Sequence, residues 1–224
     1  EATRPKLNAA ELRRPGQNAF RRLLFALLPY PQRLRAVLAP LRGFAGSPLQ
    51  GWLRRIGIPR LLGPQLQALE QLLPPLSPEA FRDPLPLVLP AVGERRARVG
   101  LVLGCVQRLF DPAVNAATLQ VLSRNGVEVV IPPAQGCCGA VTHHQGELEQ
   151  TQQLAQALID SFSEVVGLGK PAGSDPLDAV LVAASGCGHT MKLYGQILEN
   201  GQAFAAQVRD VQEFLAELGL SEAF

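Results

Sequence analysis

The residues of this sequence best suited to chemistry are its four cysteines, Cys105, Cys137, Cys138 and Cys187. Glycine brackets them, in Gly104-Cys105, Gly136-Cys137-Cys138-Gly139 and Gly186-Cys187-Gly188. A lone cysteine in an apolar chain is usually a small buried hydrophobe. Glycine, however, lets the backbone bend closely around a bulky bound group, which a core cysteine does not need. We therefore expect the thiols to bind a metal group, with Gly104, Gly139 and Gly186 lining its site.

The bonding chemistry of these thiols leaves two kinds of site open. A disulfide is disfavoured because adjacent Cys137 and Cys138 cannot easily bond each other, and the cytosol would keep thiols reduced. Four thiolates suit either a structural zinc or an iron–sulfur cluster. Zinc sites usually take their ligands from closely spaced pairs, and no Cys-x-x-Cys occurs here. The spacing favours an iron–sulfur cluster and leaves a zinc-stabilised interaction module as the alternative.

After Arg98 the sequence alternates between strands and helices. We predict strands over 99–104, 127–131 and 178–184, helices over 112–125, 147–166 and 188–198, then a short strand near 205–208 and a helix over 211–218. This alternation is typical of the α/β class, with a parallel sheet covered by helices on both faces.

The cysteines follow the predicted strands. Cys105 comes directly after the first, Cys137 and Cys138 lie in the loop after the second, and Cys187 lies in the loop after the third. The carboxyl ends of parallel strands share one edge of a sheet, where ligands of such folds bind. We therefore expect all four sulfurs to meet at that edge.

The first part of the chain is built differently. Residues 18–73 are rich in Leu and Arg, and prolines at 29, 31, 40, 48, 59 and 64 divide them into short segments with apolar stripes. Helices this short must pack on something to be stable. Residues 73–90 are rich in proline and predict an extended linker. The predicted division is a helical segment with its linker over 1–90 and a cysteine-rich α/β domain over 91–224.

The charge is distributed unevenly. Residues 1–98 hold 16 Lys and Arg against 6 Asp and Glu, whereas residues 99–224 hold 5 against 13. The basic half could contact an acidic protein or anionic lipid through Phe20, Leu24 and Leu27, or it could pair with the acidic half of its own chain. We expect a protein subunit as its partner. We expect no nucleic-acid partner, because the arginines are not interleaved with the exposed aromatics or reading motifs that usually accompany nucleic-acid binding.

Membrane-spanning and secreted classes are also disfavoured. No run of about 18 uncharged apolar residues occurs, so we expect no transmembrane helix. Residues 1–6 lack the pattern of a signal peptide. We expect a cytoplasmic protein, with at most a peripheral contact to the inner face of the membrane.

The cysteine motifs resemble those of a known family. Gly104-Cys105, Cys137-Cys138-Gly139 and Ser185-Gly-Cys-Gly-His189, with the Met-Lys-Leu-Tyr-Gly195 that follows, are similar to the cysteine-rich (CCG) domain shared by the heterodisulfide reductases and the iron–sulfur subunit of glycolate oxidase (glycolate dehydrogenase). The glycolate oxidase subunit is the closer match, since a similar Leu-, Arg- and Pro-rich segment precedes its first such domain.

This resemblance implies an electron-transfer subunit of an oxidoreductase. It implies a 4Fe-4S cluster held by the four cysteines, and flavoprotein partner subunits whose flavin oxidises glycolate. Electrons would pass through this chain to an acceptor such as quinone, and none of its residues would touch glycolate. Related subunits of lactate or glycerol-3-phosphate dehydrogenases, and disulfide reductases, would carry the same domain and stay open as alternatives.

Two departures from the family pattern shape these expectations. The fuller motif ends in Cys-x-x-Cys, but Ala184 occupies the earlier position here, so four ligands are expected rather than five. Complete family members also carry a ferredoxin domain and a second cysteine-rich domain. We expect this chain to be an internal fragment of such a protein.

The histidines and two further side chains are weaker candidates. His189 follows Cys187 by two positions and could shield the cluster or donate a hydrogen bond to a sulfur, although a helix-capping role is as plausible. His143 and His144 are expected in an exposed loop without a metal role. Lys192 and Tyr194 should lie one turn into the following helix, where a lysine could offset the cluster's negative charge.

Overall fold

The computed structural model describes residues 15–81, 85–166 and 175–221. Within these ranges a helical segment precedes a five-stranded sheet flanked by helices, which confirms the predicted fold class. Arg13 and Arg14 of the basic half lie outside the described residues, and the division at residue 90 stays a prediction.

The helical segment consists of short helices that start at prolines. Its helices are α1 (Pro15–Leu27), α2 (Pro31–Leu38), α3 (Pro48–Arg55) and α4 (Pro64–Leu72), with 3-10 turns at Ala39–Leu41, Ile58–Leu62 and Pro78–Phe81. Proline suits the first helical position because it has no N–H to satisfy there and its backbone angle is already helical. Ser47 caps α3 by accepting a hydrogen bond from the Gln50 N–H at 3.2 Å. The predicted Pro-punctuated helices are confirmed.

The sheet has five strands in the order β1-β3-β2-β4-β5. Its strands are β1 (Val88–Leu89), β2 (Ala97–Val102), β3 (Val127–Val130), β4 (Ala179–Val182) and β5 (Val208–Asp210). All neighbouring strands are parallel except β1, which pairs with β3 in the antiparallel direction. The predicted linker therefore contributes one short edge strand. In the middle of the sheet, Val99 of β2 lies opposite Val129 on one side and Ala179 on the other.

Helices connect the strands. They are α5 (Gln107–Phe110), α6 (Pro112–Arg124), α7 (Ala140–His144), α8 (Leu148–Val166), α9 (Ser185–Lys192), α10 (Tyr194–Ile197), α11 (Gln202–Gln207) and α12 (Val211–Leu218). The helix predicted over 188–198 is two helices separated at Leu193. The strand predicted near 205–208 was misplaced, because Phe204 and Ala205 belong to α11 and are buried in the core. The strand begins only at Val208.

Alternate residues of each central strand point to opposite faces of the sheet, and both faces are covered. On one face Val102 and Val182 pack with Phe162 of α8 and Tyr194 of α10. The other face has a separate core, which includes Leu101 and Leu181 from the strands, Leu122 from α6 and Phe214 from α12.

The helical segment is joined to the α/β domain by polar and apolar contacts. Arg21 of α1 pairs with Glu147 at 2.7 Å, and Gln150 donates a hydrogen bond to the Phe25 carbonyl at 3.0 Å. Leu34 and Leu38 of α2 lie in one apolar cluster with Leu109 of α5.

The basic and acidic halves of the chain are partly matched with each other. Besides Arg21, Arg95 pairs with Asp175 and Arg98 pairs with Glu128, at 2.6 Å in both cases. Part of the positive charge of residues 1–98 is therefore neutralised within the chain. Among the described residues, no helix is long and apolar enough to cross a membrane.

Candidate metal centre

The sheet brings the cysteine-bearing segments to one edge. Cys105 follows β2, Cys137 and Cys138 lie between β3 and α7, and Cys187 follows β4. Because β2 lies between β3 and β4, the three segments emerge side by side at the carboxyl ends of the strands. The expected arrangement of strand ends is confirmed, with one difference. Cys187 lies in the first turn of α9 rather than in a loop, because the helix already begins at Ser185.

The four thiols form a continuous set of sulfur contacts. The Cys105 sulfur lies 3.3 Å from the Cys137 sulfur. The Cys138 thiol interacts with those of Cys137 and Cys187. Cys105, Cys137 and Cys138 are buried, with exposed fractions of 6%, 2% and 3%, and Cys187 is partly buried. The structure thus gathers all four cysteines that the sequence singled out.

Hydrogen bonds among the thiols lower the pKa values of two of the cysteines and raise those of the other two. The pKa of Cys137 is lowered to about 4 because the thiols of Cys105 and Cys138 and the Gly139 N–H donate hydrogen bonds to it and the Arg108 charge is near, although burial opposes this. The hydrogen bond from Cys138 likewise lowers the pKa of Cys187.

The two donating thiols shift the other way. The pKa of Cys105 is raised by its hydrogen bond to Cys137 and by burial. The pKa of Cys138 is raised by its hydrogen bonds to Cys137 and Cys187 and by burial. The lowered pKa values of Cys137 and Cys187 shift these two thiols toward the thiolate, which is the form that binds metals.

The neighbouring glycines differ in what they require. Gly104 and Gly139 have φ angles of +72° and +79°, which side-chain-bearing residues rarely adopt. A Cβ on Gly139 would also lie 3.2 Å from the Thr151 carbonyl oxygen. Gly186 has no such angle, and a Cβ there would meet nothing within 4 Å. The backbone therefore needs glycine at the first two positions, and the role of all three glycines in lining a bound group stays a prediction.

A buried glutamine, missed by the sequence analysis, joins the first two cysteine segments. The Gln135 side chain accepts a hydrogen bond from the Leu103 N–H at 2.8 Å and donates one to the Leu101 carbonyl at 3.1 Å. Arg108 donates to the carbonyls of Gly104 at 3.0 Å and Gln135 at 3.2 Å. A polar residue directly before Gly-Cys-Cys-Gly was the only hint in the sequence.

The side chain of Tyr194 is hydrogen-bonded to the backbone of the adjacent cysteine pair. It is completely buried, and its hydroxyl donates a hydrogen bond of 2.7 Å to the Cys138 carbonyl. The sequence position of Tyr194 predicted a place near the site but not this role. The hydrogen bond ties the Cys137-Cys138 loop to α10.

The three histidines lie in a row at the site. His144 stacks on His189 with ring centroids 6.4 Å apart and an angle of 9° between the planes, and His143 lies 5.8 Å from His144. The expected exposed loop at His143 and His144 is in fact helix α7, which starts after Gly139 with its left-handed backbone, and both side chains are partly buried. His189 itself is exposed.

Lys192 does not serve as the cation expected beside the cysteines. It is exposed and pairs with Glu213 at 2.7 Å. The cation that acts on the sulfurs is Arg108, whose charge contributes to the lowered pKa of Cys137. The reason is topological, since α5 carries Arg108 back over the Gly104 carbonyl.

The donor set narrows the kind of group that could bind. Within the described ranges, no group of three or more His, Cys, Asp or Glu side chains is arranged to hold a metal ion. Four clustered thiols nevertheless suit soft metals, either zinc or iron in an iron–sulfur cluster, and not hard cations such as Mg²⁺. The chemistry of the donors therefore fits both groups that the sequence left open.

Comparison with known proteins identifies both regions. Residues 99–192 match the family model described as a cysteine-rich domain (CCG). Residues 16–73 match the model for the linker region of the glycolate oxidase iron-sulfur subunit. No solved structure matches the chain significantly.

Curated relatives agree with these matches. The chain is 30% identical over 211 residues to the probable glycolate oxidase iron-sulfur subunit of Bacillus subtilis, covering 91% of this chain and 45% of that protein. It is 35% identical over 151 residues to the glycolate oxidase iron-sulfur subunit of Escherichia coli, covering 65% and 35%. A third match, to lactate utilization protein A of Bacillus cytotoxicus, is 26% identical over 121 residues, covering 54% and 46%.

The chain thus spans less than half the length of these relatives. Its two matched regions occur in the order of linker and then cysteine-rich domain, and the first is specific to one kind of subunit. With the cysteine geometry described above, these matches show that the chain joins a region similar to the linker of glycolate oxidase iron-sulfur subunits to a cysteine-rich (CCG) domain.

Proposed function

We propose that Cys105, Cys137, Cys138 and Cys187 hold one iron–sulfur cluster and that the chain relays electrons within a glycolate oxidase complex. The observation that carries this proposal is the gathering of four mostly buried thiols from three segments at one sheet edge. The family match and the names of the relatives support it.

Each part of the site has a role in this proposal. The four thiols supply the ligands for a cluster of the 4Fe-4S type, which when bound accepts and releases single electrons. The Gly139 N–H, 3.4 Å from the Cys137 sulfur, stabilises negative charge on that sulfur. Tyr194 holds the Cys138 backbone in place, and His189 lies at the exposed side next to Cys187. Burial of three of the sulfurs keeps water away from them.

The proposed partners are flavoprotein subunits of the same complex. Their flavin would take the electrons from glycolate, and this chain would pass them on to an acceptor such as quinone. No residue described here is assigned contact with glycolate. We place the complex in the cytoplasm, with at most a peripheral contact to the inner face of the membrane.

A second substrate is favoured by one specific observation. The match to lactate utilization protein A covers about half of this chain, so an electron-transfer subunit for lactate oxidation is the next candidate. It uses the same cysteines in the same way. Electron transfer from the purified flavoprotein partner with glycolate or with lactate distinguishes the two substrates.

The central test is the metal content of the anaerobically purified chain. We expect broad absorbance near about 400 nm with iron and acid-labile sulfide. Both Cys105→Ser and Cys138→Ser should lower the iron content severely because each removes a thiolate ligand. Ser161→Ala is the matched control, since it removes a buried hydroxyl that donates its hydrogen bond to the Leu158 carbonyl of the same helix. A colourless zinc protein, or full iron loading in either cysteine variant, would overturn the proposal.

A further inference from the structure

An aromatic side chain of the helical segment packs against the apolar cluster that contains two of the cysteines. Cys105, Cys137 and Leu154 form a small buried cluster, and Tyr30 packs against it from the connection between α1 and α2. Val106 is the other partly buried side chain in contact with this cluster. Tyr30 is thus the aromatic residue of the helical segment that packs against the cluster containing the two sulfurs that lie 3.3 Å apart.

The backbone holds Tyr30 in a defined conformation. It lies between Pro29 and Pro31, and its φ and ψ angles of −114° and 93° are extended, as expected for a residue before proline. Its N–H donates to the Leu27 carbonyl at 3.1 Å, and its carbonyl accepts from the Leu34 N–H at 3.0 Å. Both flanking helices therefore orient the residue.

The ring is also held from outside. The Arg33 guanidinium lies over the Tyr30 ring, 4.1 Å from its centroid, which is a favourable cation–π contact. The same guanidinium donates a hydrogen bond of 3.2 Å to the Ala26 carbonyl of α1. Arg33 thus bridges α2 and α1 across the ring.

A second set of contacts fixes α1 on the segment that follows the cysteine pair. Arg21 donates hydrogen bonds to Glu147 and to the Gln145 carbonyl, at 2.7 Å and 2.6 Å. Gln150 reaches back from α8 to the Phe25 carbonyl. The helical segment is therefore attached to the residues that follow Cys137 and Cys138 in the chain. This attachment leaves Tyr30 little freedom to move away from the cluster that contains the sulfurs.

We propose that Tyr30 is a positioning residue that shields Cys105 and Cys137 from solvent, so that the helical segment completes the cysteine site. The ring excludes water and small reagents from these two sulfurs. Solvent access around a metal centre affects both its stability and its potential. The inference rests on the four-cysteine site of the proposed function, but it can be tested on the thiols without any bound group.

The test measures how fast each thiol of the reduced, metal-free chain is alkylated by iodoacetamide, resolved by peptide mass spectrometry. In Tyr30→Ala we expect Cys105 and Cys137 to react about tenfold faster, because local opening now exposes them. Cys187, which lies outside this cluster, should change by less than about twofold. Tyr30→Phe keeps the ring and should restore the slow rates.

Leu38→Ala is the control for general loosening. Leu38 is buried in the cluster that contains Leu109, which is separate from the cluster that holds Cys105 and Cys137. If Leu38→Ala accelerates Cys105 and Cys137 as much as Tyr30→Ala does, or if Tyr30→Ala leaves both rates unchanged, the proposal is wrong. Should Tyr30→Ala fail to fold, Tyr30→Leu, which retains apolar bulk without the ring, takes its place. The alkylation rates are measured on the metal-free chain. They therefore test the role of Tyr30 independently of whether the cysteines hold an iron–sulfur cluster.

Discussion

The α/β domain and the helical segment differ in how far they bury their apolar side chains. In the domain, the central strands and α8 carry side chains with no exposed surface, among them Leu101, Leu181 and Phe162. In the helical segment, Trp52 is 55% exposed and Leu61 is 85% exposed. The α/β domain therefore forms its own core, whereas the helical segment leaves large apolar side chains uncovered and depends on contacts with other surfaces for its stability.

The exposed apolar residues of the segment are not scattered. Leu49 and Trp52 of α3 and Ile56, the residue directly after the helix, recur at helical spacing, and all three are exposed. On α4, Leu66, Leu69 and Leu72 do the same. By contrast, Phe20, Leu24 and Leu27 of α1, the stripe that the sequence offered for a partner, are partly buried. The stripes available for an external contact are therefore those of α3 and α4.

The largest expected effect separates the two regions directly. Phe162→Ala removes a completely buried ring that packs edge-on against Phe204 at 5.6 Å, and should lower the free energy of unfolding by about 3–5 kcal/mol. Leu61→Ala should change it by less than about 0.5 kcal/mol. Urea denaturation followed by circular dichroism measures both. Similar losses in the two variants would show that Leu61 is covered in solution.

The same substitution, glycine to alanine, should have opposite signs in the two regions. A Cβ on Gly100 of β2 would lie 2.5 Å from the Phe162 ring, so Gly100→Ala should destabilise by about 1–3 kcal/mol. A Cβ on Gly51 in α3 would meet nothing within 4 Å, and Gly51→Ala should stabilise that helix by about 0.5–1 kcal/mol. The urea midpoints of the two variants, each compared with that of the unsubstituted chain, measure the sign of each change. A stabilising Gly100→Ala would mean that the packing around β2 is looser than described.

Tyr194→Phe tests the link between the core and the cysteine loop. It removes the hydrogen bond to the Cys138 carbonyl and keeps the ring that stacks on Phe204, so we expect a loss of about 0.5–1.5 kcal/mol. Tyr30→Phe is the matched control, because no hydrogen bond of the Tyr30 hydroxyl is found within the described part of the chain. Equal losses in both variants would argue against a specific role for the Tyr194 hydroxyl.

The smallest expected effect concerns the ion pair that joins the two regions. Arg21→Gln should cost at most about 1 kcal/mol, since the Glu147 side chain is partly exposed to solvent. The loss should shrink when salt rises from about 0.1 M to about 1 M, because the Debye length falls from about 10 Å to about 3 Å. Arg55→Gln, at an exposed arginine with no ion pair among the described residues, is the control. A salt-independent loss would point to packing rather than charge.

The sequence by itself determined the local elements of this protein. Prolines predicted that residues 18–73 would be divided into short helices, because proline disrupts helix interiors, and three of those helices, α2, α3 and α4, begin at a proline. Alternation of apolar strands with helices predicted the parallel sheet. Cysteines directly after successive strands predicted the site, since parallel strands place their carboxyl ends at one edge. Each of these inferences uses residues that are neighbours in the chain.

Only the tertiary structure decided which side chains surround the sulfurs. Gln135, Arg108 and Tyr194 reach the cysteine segments through contacts between separate elements, and so does Tyr30, which is far from every cysteine in the sequence. Lys192, close in sequence to Cys187, pairs with Glu213 instead. The physical reason is that periodicity and spacing encode which face a residue occupies within its own element, whereas contacts between elements depend on how whole helices pack against the sheet.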